Sequence, residues 1–135
     1  MQVRYPACLM NMLTMAGFDN GTIPPILSKI MMAQWRNGLS IEFGPVEDPY
    51  GILLFYPVSN EEYTCGILTS RQSGQHLRAM LKIGQLSISE LAQDTGCKIS
   101  CKTGGSNSPG FRIAKMAGFK IVEQSAHETH LEFAI

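Results

Sequence analysis

A short segment in the middle of the chain combines residue types that hold an anion. Its chemically relevant members are Arg71, Ser73, Gly74, Gln75 and His76. The segment follows directly on the strand-like run 63–70. Where a strand passes through a glycine-containing loop into a helix, free backbone N–H groups and the helix dipole favour a bound phosphate. We therefore expect a phosphate-binding turn here, with an ordinary strand-to-helix turn as the alternative.

A second segment of interest, 107–119, lies closer to the C-terminus. It begins at Asn107 and is typical of a short helix that ends at Gly118 and runs into a strand at Phe119. Neither segment identifies a site alone, but the two in this order form a recognisable pair.

Hydrophobic periodicity predicts strands and helices that alternate along the chain. The predicted strands are Met1–Tyr5, Leu39–Gly44, Tyr50–Val58, Glu62–Ser70, Cys97–Cys101, Phe119–Gln124 and Thr129–Ala134. The predicted helices are Ala7–Phe18, Ile26–Arg36, Ser73–Gly84 and Pro109–Ala117, and 87–93 either continues the third helix or begins another. Because helices interleave with strands joined by short turns, we expect an α/β (α+β) fold with one mixed sheet, mostly antiparallel and covered by helices.

The composition predicts a single globular domain over residues 1–135. With 44% hydrophobic and 16% charged residues the chain is not expected to be disordered, and its net charge of zero gives no basic surface for nucleic acid. No apolar stretch approaches the ~20 residues of a membrane span, and the N-terminal residues do not resemble a signal peptide. We expect a cytoplasmic protein without nucleic-acid or membrane partners, whose low charge favours a homodimer.

The four cysteines are expected to be reduced and mostly structural. Cys8, Cys65, Cys97 and Cys101 form no Cys-x-x-Cys pair. Free cysteines in apolar strands and helices behave as small hydrophobic residues, and the cytosol keeps thiols reduced. Together with the histidines near the C-terminus they match no common zinc spacing, so no metal site is predicted.

The two segments, GILTSRQSGQHLRAML and NSPGFRIAKMAGF, resemble the acetyl-coenzyme A core of the GNAT (general N-acetyltransferase) superfamily. The predicted order of elements is similar to that of the family along nearly the whole chain. This resemblance implies a GNAT-like central sheet flanked by helices, acetyl-coenzyme A (acetyl-CoA) as co-substrate and an amine as acceptor. The same stretches are similar, more loosely, to small GNAT-like proteins coded by bacteriophages.

The resemblance also implies which residues would bind the co-substrate. Arg71 and Gly74 match the family's Arg/Gln-x-x-Gly-x-Gly/Ala loop, so the turn that includes Ser73, Gln75 and His76 would hold the pyrophosphate.

Further along, Asn107 matches the residue that contacts the pantetheine arm. Backbone N–H groups at a bulge near Cys65 to Ile67 would hold the thioester carbonyl oxygen. Glu62, at the start of the third central strand, is the candidate catalytic base that takes the proton of the amine.

Two positions depart from the family pattern. His76 stands where a Gly or Ala lets the pyrophosphate approach, and Ala114 stands where a Tyr protonates the leaving thiolate. We therefore keep two functional hypotheses. The preferred one is acyl-CoA-dependent N-acyltransfer, most simply acetyl transfer to an amine of a small molecule or protein by direct attack. The alternative is a catalytically degenerate GNAT-fold binding or assembly protein of phage origin.

Overall fold

The structure is a computed structural model that describes residues 1–17, 24–71 and 73–133 of the chain. Its strands are β1 (Val3–Arg4), β2 (Leu39–Phe43), β3 (Gly51–Ser59), β4 (Glu62–Thr69), β5 (Lys98–Thr103), β6 (Phe119–Gln124) and β7 (Thr129–Phe133). Its helices are α1 (Leu9–Met15), α2 (Pro25–Asn37), α3 (Ser73–Thr95) and α4 (Pro109–Met116).

The described strands form one sheet in the order β1-β2-β3-β4-β5-β7-β6. The pairs β1–β2, β2–β3, β5–β7 and β6–β7 are antiparallel, whereas β4 and β5 are parallel. β3 and β4 are neighbours joined by Asn60 and Glu61 alone, and so short a connection requires an antiparallel hairpin. The prediction of a mixed, mostly antiparallel sheet with helices is confirmed.

The chain divides into two compact units. The first unit comprises Met1–Tyr56 with Ile67–Leu77, and the second comprises Pro57–Gly66 with Arg78–Ile135. The organisation of 1–135 as a single domain stays a prediction.

A small apolar core organises the first unit. Ala7, Met12 and Ile52 are buried together, and Met31 and Trp35 pack against them. The indole N–H of Trp35 donates to the carbonyl oxygen of Ala7 at 2.8 Å, which ties α2 to the segment before α1. Burial of the apolar surface and one directed hydrogen bond therefore act on the same short segment.

A fully buried carboxylate, that of Glu42 on β2, anchors the same segment. It forms an ion pair with Arg4 of β1 and accepts hydrogen bonds from the Cys8 backbone N–H and the Asn11 side-chain amide, both at 3.1 Å. A buried charge is tolerated only when it is paired and hydrogen-bonded. Glu42 meets that condition with partners that come from β1, from α1 and from the link between them.

In the second unit the strands have one apolar and one polar face. On β5 and β7 the apolar face carries Ile99, Cys101 and Leu131, all of which are buried. The opposite face carries the paired residues Ser100 and Glu132. This alternation is the period of two that a strand imposes on its side chains.

The structure corrects some predicted boundaries. The third helix is continuous to Thr95, so 87–93 continues it and begins no second helix. Within it the Ser87 hydroxyl donates to the Ile83 carbonyl oxygen at 2.9 Å. β5 begins at Lys98 rather than at Cys97. The ends predicted at Phe18 and Ala134 lie outside the described residues.

Arg4→Met should lower the free energy of unfolding by about 3–5 kcal/mol, the usual cost of leaving a buried carboxylate without its partner. Urea unfolding measures the change. The control is Lys102→Met, which breaks the ion pair between Lys102 and Glu128. The side chain of Lys102 is 68% exposed and that of Glu128 is 58% exposed. An exposed pair contributes at most about 1 kcal/mol. Equal effects of the two substitutions would contradict the importance assigned to the buried pair.

Candidate functional site

The predicted phosphate turn lies where β4 passes into α3. The helix begins at Ser73, whose backbone N–H and hydroxyl both donate to the Ser70 carbonyl oxygen, at 3.1 and 2.8 Å. Ser70 N–H in turn donates to the Tyr50 carbonyl oxygen at 3.1 Å. These bonds fix the start of the helix to the residue that precedes β3.

The first turn of α3 is open to solvent. Arg71, Gly74 and Gln75 are exposed. A Cβ atom added at Gly74 would meet no heavy atom within 4 Å. The N–H groups of a first helical turn have no partner inside the helix, so this turn has the exposure and the donors that an anion requires.

His76, the departure from the family's small residue, stacks on Tyr50. The ring centroids are 3.8 Å apart and the planes differ by 6°. Both side chains are half-buried. The histidine therefore has a packing role in the first unit. No local pattern predicts this contact, because Tyr50 and His76 belong to segments that are separated by β3 and β4.

Glu62, the predicted base, lies at the start of β4 in a polar cluster of the second unit. Ser100 Oγ donates to its Oε2 at 2.5 Å, and Lys98 Nζ lies 3.4 Å from its Oε1. Thr64 Oγ1 is 2.9 Å from Ser100 Oγ, and because the Ser100 proton goes to Glu62, Thr64 is the donor of this second bond.

These contacts lower the pKa of Glu62. The hydrogen bond from Ser100 is the largest cause, partial burial opposes it, and the charge of Lys98 adds to the lowering. Both attractive contacts stabilise the ionised form. The carboxylate is therefore charged at neutral pH and binds a proton weakly.

Lys98 links two carboxylates. Its Nζ lies 3.2 Å from Glu132 Oε1 as well as 3.4 Å from Glu62 Oε1. The pKa of Lys98 is raised, first by the hydrogen bond and charge of Glu132 and then by those of Glu62. An ammonium group thus already occupies a position between the two carboxylates.

Cys65 and Ile67 follow the paired part of β4. The parallel register with β5 pairs Glu62, Tyr63 and Thr64, and within the described residues the recorded pairing ends there. Cys65 is buried and Ile67 is half-buried. The bulge expected near these residues stays a prediction.

Asn107 lies in the turn before α4 and is exposed. The N-cap of that helix is Ser108, whose hydroxyl accepts from the Phe111 N–H at 3.2 Å, so the Asn107 side chain is not needed as the cap. Ala114, the position of the family's acid, is buried within α4. It contributes to packing and offers no proton.

The predicted site residues therefore fall into two groups. The phosphate turn and Ile67 belong to the first unit, and Glu62, Cys65 and Asn107 belong to the second. Sequence reasoning missed Ser100 and Lys98, which set the charge of Glu62. The signal that could have found them is their spacing of two on one predicted strand, which the structure pairs with β4.

Among the described residues, no three or more His, Cys, Asp or Glu side chains are grouped so that they could hold a metal ion. None of the helices in the described part of the chain has the length and apolar character needed to cross a membrane.

Comparison of the structure with solved structures places it in the GNAT fold. It is similar to a GNAT family acetyltransferase from Elizabethkingia anophelis solved with acetyl-CoA bound, with 14% identity, a TM-score of 0.61, and coverage of 85% of this chain and 93% of that one. It is also similar to a mutant of spermidine N-acetyltransferase from Vibrio cholerae, with 9% identity, a TM-score of 0.67, and coverage of 98% and 94%.

A third similar structure is the N-acetyltransferase PseH from Campylobacter jejuni in complex with acetyl coenzyme A. The identity is 12%, the TM-score 0.52, and the coverage 79% of this chain and 74% of that one. No protein-family model and no curated protein sequence matches the chain. At these identities the likeness establishes the fold.

Ser100→Ala should raise the pKa of Glu62 towards its ordinary value, because it removes the largest cause of the lowering. A group with a lowered pKa adds stability above its unfolded pKa and loses it as the pH falls through the folded pKa. The variant should therefore lose less stability than wild type on acidification. Carboxyl-carbon NMR titration measures the shift. Thr64→Val, which leaves the Ser100–Glu62 bond in place, should shift the pKa less, and an unchanged pKa in Ser100→Ala would refute the assignment.

Proposed function

We propose that the protein is an acyl-CoA-dependent N-acyltransferase that transfers an acetyl group from acetyl-CoA to an amine of a small molecule or protein. The observation that carries the proposal is the start of α3 at Ser73 directly after β4, with an exposed Gly74 in its first turn. The shared fold with acetyltransferases that bind acetyl-CoA supports it. A cytoplasmic location and a homodimer belong to the same proposal.

The residues of the phosphate turn fit the co-substrate. Arg71 supplies a cation, and the N–H groups of Gly74 and Gln75 supply donors for the pyrophosphate, in the turn that also contains Ser73 and His76. The open space at Gly74 admits the close approach of a phosphate. In this proposal Asn107 contacts the pantetheine arm.

Acetyl-CoA supplies an acyl group activated as a thioester. The N–H groups at Cys65 and Ile67 would hold its carbonyl oxygen, where negative charge develops. Glu62 would take the proton of the attacking amine, directly or through water. Since Ala114 has no proton to give, the departing sulfur is protonated by solvent or leaves as the thiolate, which an alkyl thiol with a pKa of about 8.5 permits.

A second candidate function is a GNAT-fold protein that binds a partner and has lost catalysis. The buried Ala114 and the engagement of Glu62 by Lys98 favour it. The phage-like resemblance of the sequence is consistent with such a role. Binding of acetyl-CoA without turnover would select this candidate over the enzyme.

Gly74→Asp should abolish acetyl-CoA binding, because its carboxylate would face the phosphates. The fold should persist, since a Cβ is free of contacts there and an acidic residue suits the first turn of a helix. Isothermal titration calorimetry measures the affinity. For wild type, acetyl-CoA at ~100 times its Kd should stabilise the protein by about 2.7 kcal/mol.

Gly74→Ala is the matched control, because it adds the same Cβ without the charge. It should bind acetyl-CoA. Equal affinities for Gly74→Asp and wild type would exclude the phosphate turn as the binding site, and an absence of binding to wild type would exclude the acyltransferase.

Glu62→Gln should lower kcat by about 10²–10⁴-fold, the usual range for loss of a general base, while the affinity for acetyl-CoA stays the same. Thiol release from acetyl-CoA with a panel of amines measures the rate. Because the pKa of Glu62 is lowered, its titration should produce no loss of rate between pH 6 and 8.

Glu61→Gln is the control for charge alone, since Glu61 is the exposed neighbour in the turn before β4. It should leave the rate near that of wild type. Full activity in Glu62→Gln would show that another group, or water, receives the proton.

A further inference from the structure

Two free thiols stand side by side on the parallel strands of the second unit. Cys65 lies on β4 and Cys101 on β5, and both are buried and free. The register pairs Thr64 with Ser100. Cys65 and Cys101 are the next residue along each strand, so their backbones are neighbours one step beyond the last recorded pair.

Both thiols lie on the same face of these strands. Thr64 Oγ1 and Ser100 Oγ are 2.9 Å apart and so share a face. Successive side chains of a strand alternate, which puts both cysteines on the opposite, apolar face. There each thiol affects the pKa of the other, which is raised for Cys65 and lowered for Cys101.

The usual separation of neighbouring strands suits a covalent bond between two sulfurs at matching positions. Adjacent strands lie about 4.8 Å apart. A disulfide joins residues whose Cα atoms are about 4.4–6.8 Å apart. Two thiols at matching positions on the same face of neighbouring strands therefore need only a small approach to form it.

We propose that Cys65 and Cys101 are a redox-active dithiol that hydrogen peroxide oxidises to an intramolecular disulfide between β4 and β5. The oxidant is small because the pair is enclosed: Cys65 is 8% and Cys101 6% exposed. A bulky disulfide such as oxidised glutathione has no comparable access to these sulfurs.

Cys101 is the sulfur that reacts first. The hydrogen bond from Cys65 lowers the pKa of Cys101 against the opposing effect of burial, whereas the same bond, with burial, raises the pKa of Cys65. The thiolate is the nucleophile in thiol chemistry. The sulfur of Cys101 attacks one peroxide oxygen and the O–O bond breaks. Hydroxide is released from the peroxide, and Cys101 becomes a sulfenic acid.

Cys65 then completes the reaction. Its sulfur loses its proton and attacks the sulfenic sulfur, the S–S bond forms, and the hydroxyl group leaves and combines with a proton as water. Two thiols and one peroxide molecule give one disulfide and two molecules of water. The two electrons lost by the sulfurs reduce the peroxide.

The disulfide would also affect the proposed enzyme. This step rests on the proposed function, in which the N–H groups at Cys65 and Ile67 receive the thioester carbonyl. A covalent tie at Cys65 draws that part of β4 towards β5. Oxidised protein should then bind acetyl-CoA at least about tenfold more weakly, a change of about 1.4 kcal/mol, and reduction should restore the affinity.

The test is a peptide map of the folded full chain treated with hydrogen peroxide, then alkylated in denaturant and digested with trypsin. Cleavage after lysine and arginine puts each cysteine in its own peptide: 5–29, 37–71, 83–98 and 99–102. We expect peptide 37–71 linked to 99–102 in monomeric protein, with loss of two hydrogen atoms, and its disappearance after treatment with a reductant.

Cys8, which is exposed, is the internal reference for exposure to the oxidant. The proposal would be overturned if Cys65 and Cys101 were still alkylated under conditions that oxidise Cys8. Disulfide links from either residue to Cys8 or Cys97 would also overturn it. Cys97→Ser should keep the 65–101 link and Cys101→Ser should lose it, but the wild-type map decides the question by itself. If the reduced protein did not bind acetyl-CoA, the proposed function would be refuted, but the proposal of the disulfide would not be affected.

Discussion

The short parallel pairing of β4 with β5 is the constraint on which the chemistry of the second unit depends. Its register sets Glu62 opposite Lys98 and Thr64 opposite Ser100. Because the strand period is two, the same register that builds the polar contacts of Glu62 on one face brings Cys65 beside its partner thiol on the other. A slip by one residue would exchange the two faces, burying the charges and exposing the thiols. The buried face therefore specifies the geometry of the polar face.

The first unit depends on a different constraint, the complete satisfaction of a buried charge. Glu42 alone on β2 would be costly, since an ion without partners in the interior loses its hydration. Arg4 and Asn11 restore that stabilisation only if β1 pairs with β2 in the sheet and α1 lies close to Glu42. Ser40, two residues before Glu42, accepts a hydrogen bond from the Ala7 N–H on the same segment. The polar side chains of one short strand thus position the start of the chain, beyond what apolar packing specifies.

The sequence allowed the local elements to be predicted far better than the contacts between them. The start of α3 at Ser73 follows from local chemistry, a strand that ends at a glycine-containing loop, and the prediction was correct. The stack of His76 on Tyr50 joins residues on either side of a hairpin, and no periodicity within either segment encodes it. Likewise the partner of Glu42 is Arg4, far away in the chain. The two departures from the pattern of the resembled family became informative once the structure showed that His76 stacks on Tyr50 and that Ala114 is buried.

Within the proposed function, the electrostatics of the second unit restrict how protons can move. A base works best when its pKa lies near the working pH, but the hydrogen bond from Ser100 lowers the pKa of Glu62. A carboxylate of this kind stabilises a nearby ammonium better than it removes a proton, as its contact with Lys98 illustrates. Without an acid at Ala114, the leaving sulfur receives no proton from that position either. The contribution of Glu62 would then be joined by positioning and by stabilisation of charge at the carbonyl oxygen, which a backbone scaffold can supply without a titrating side chain.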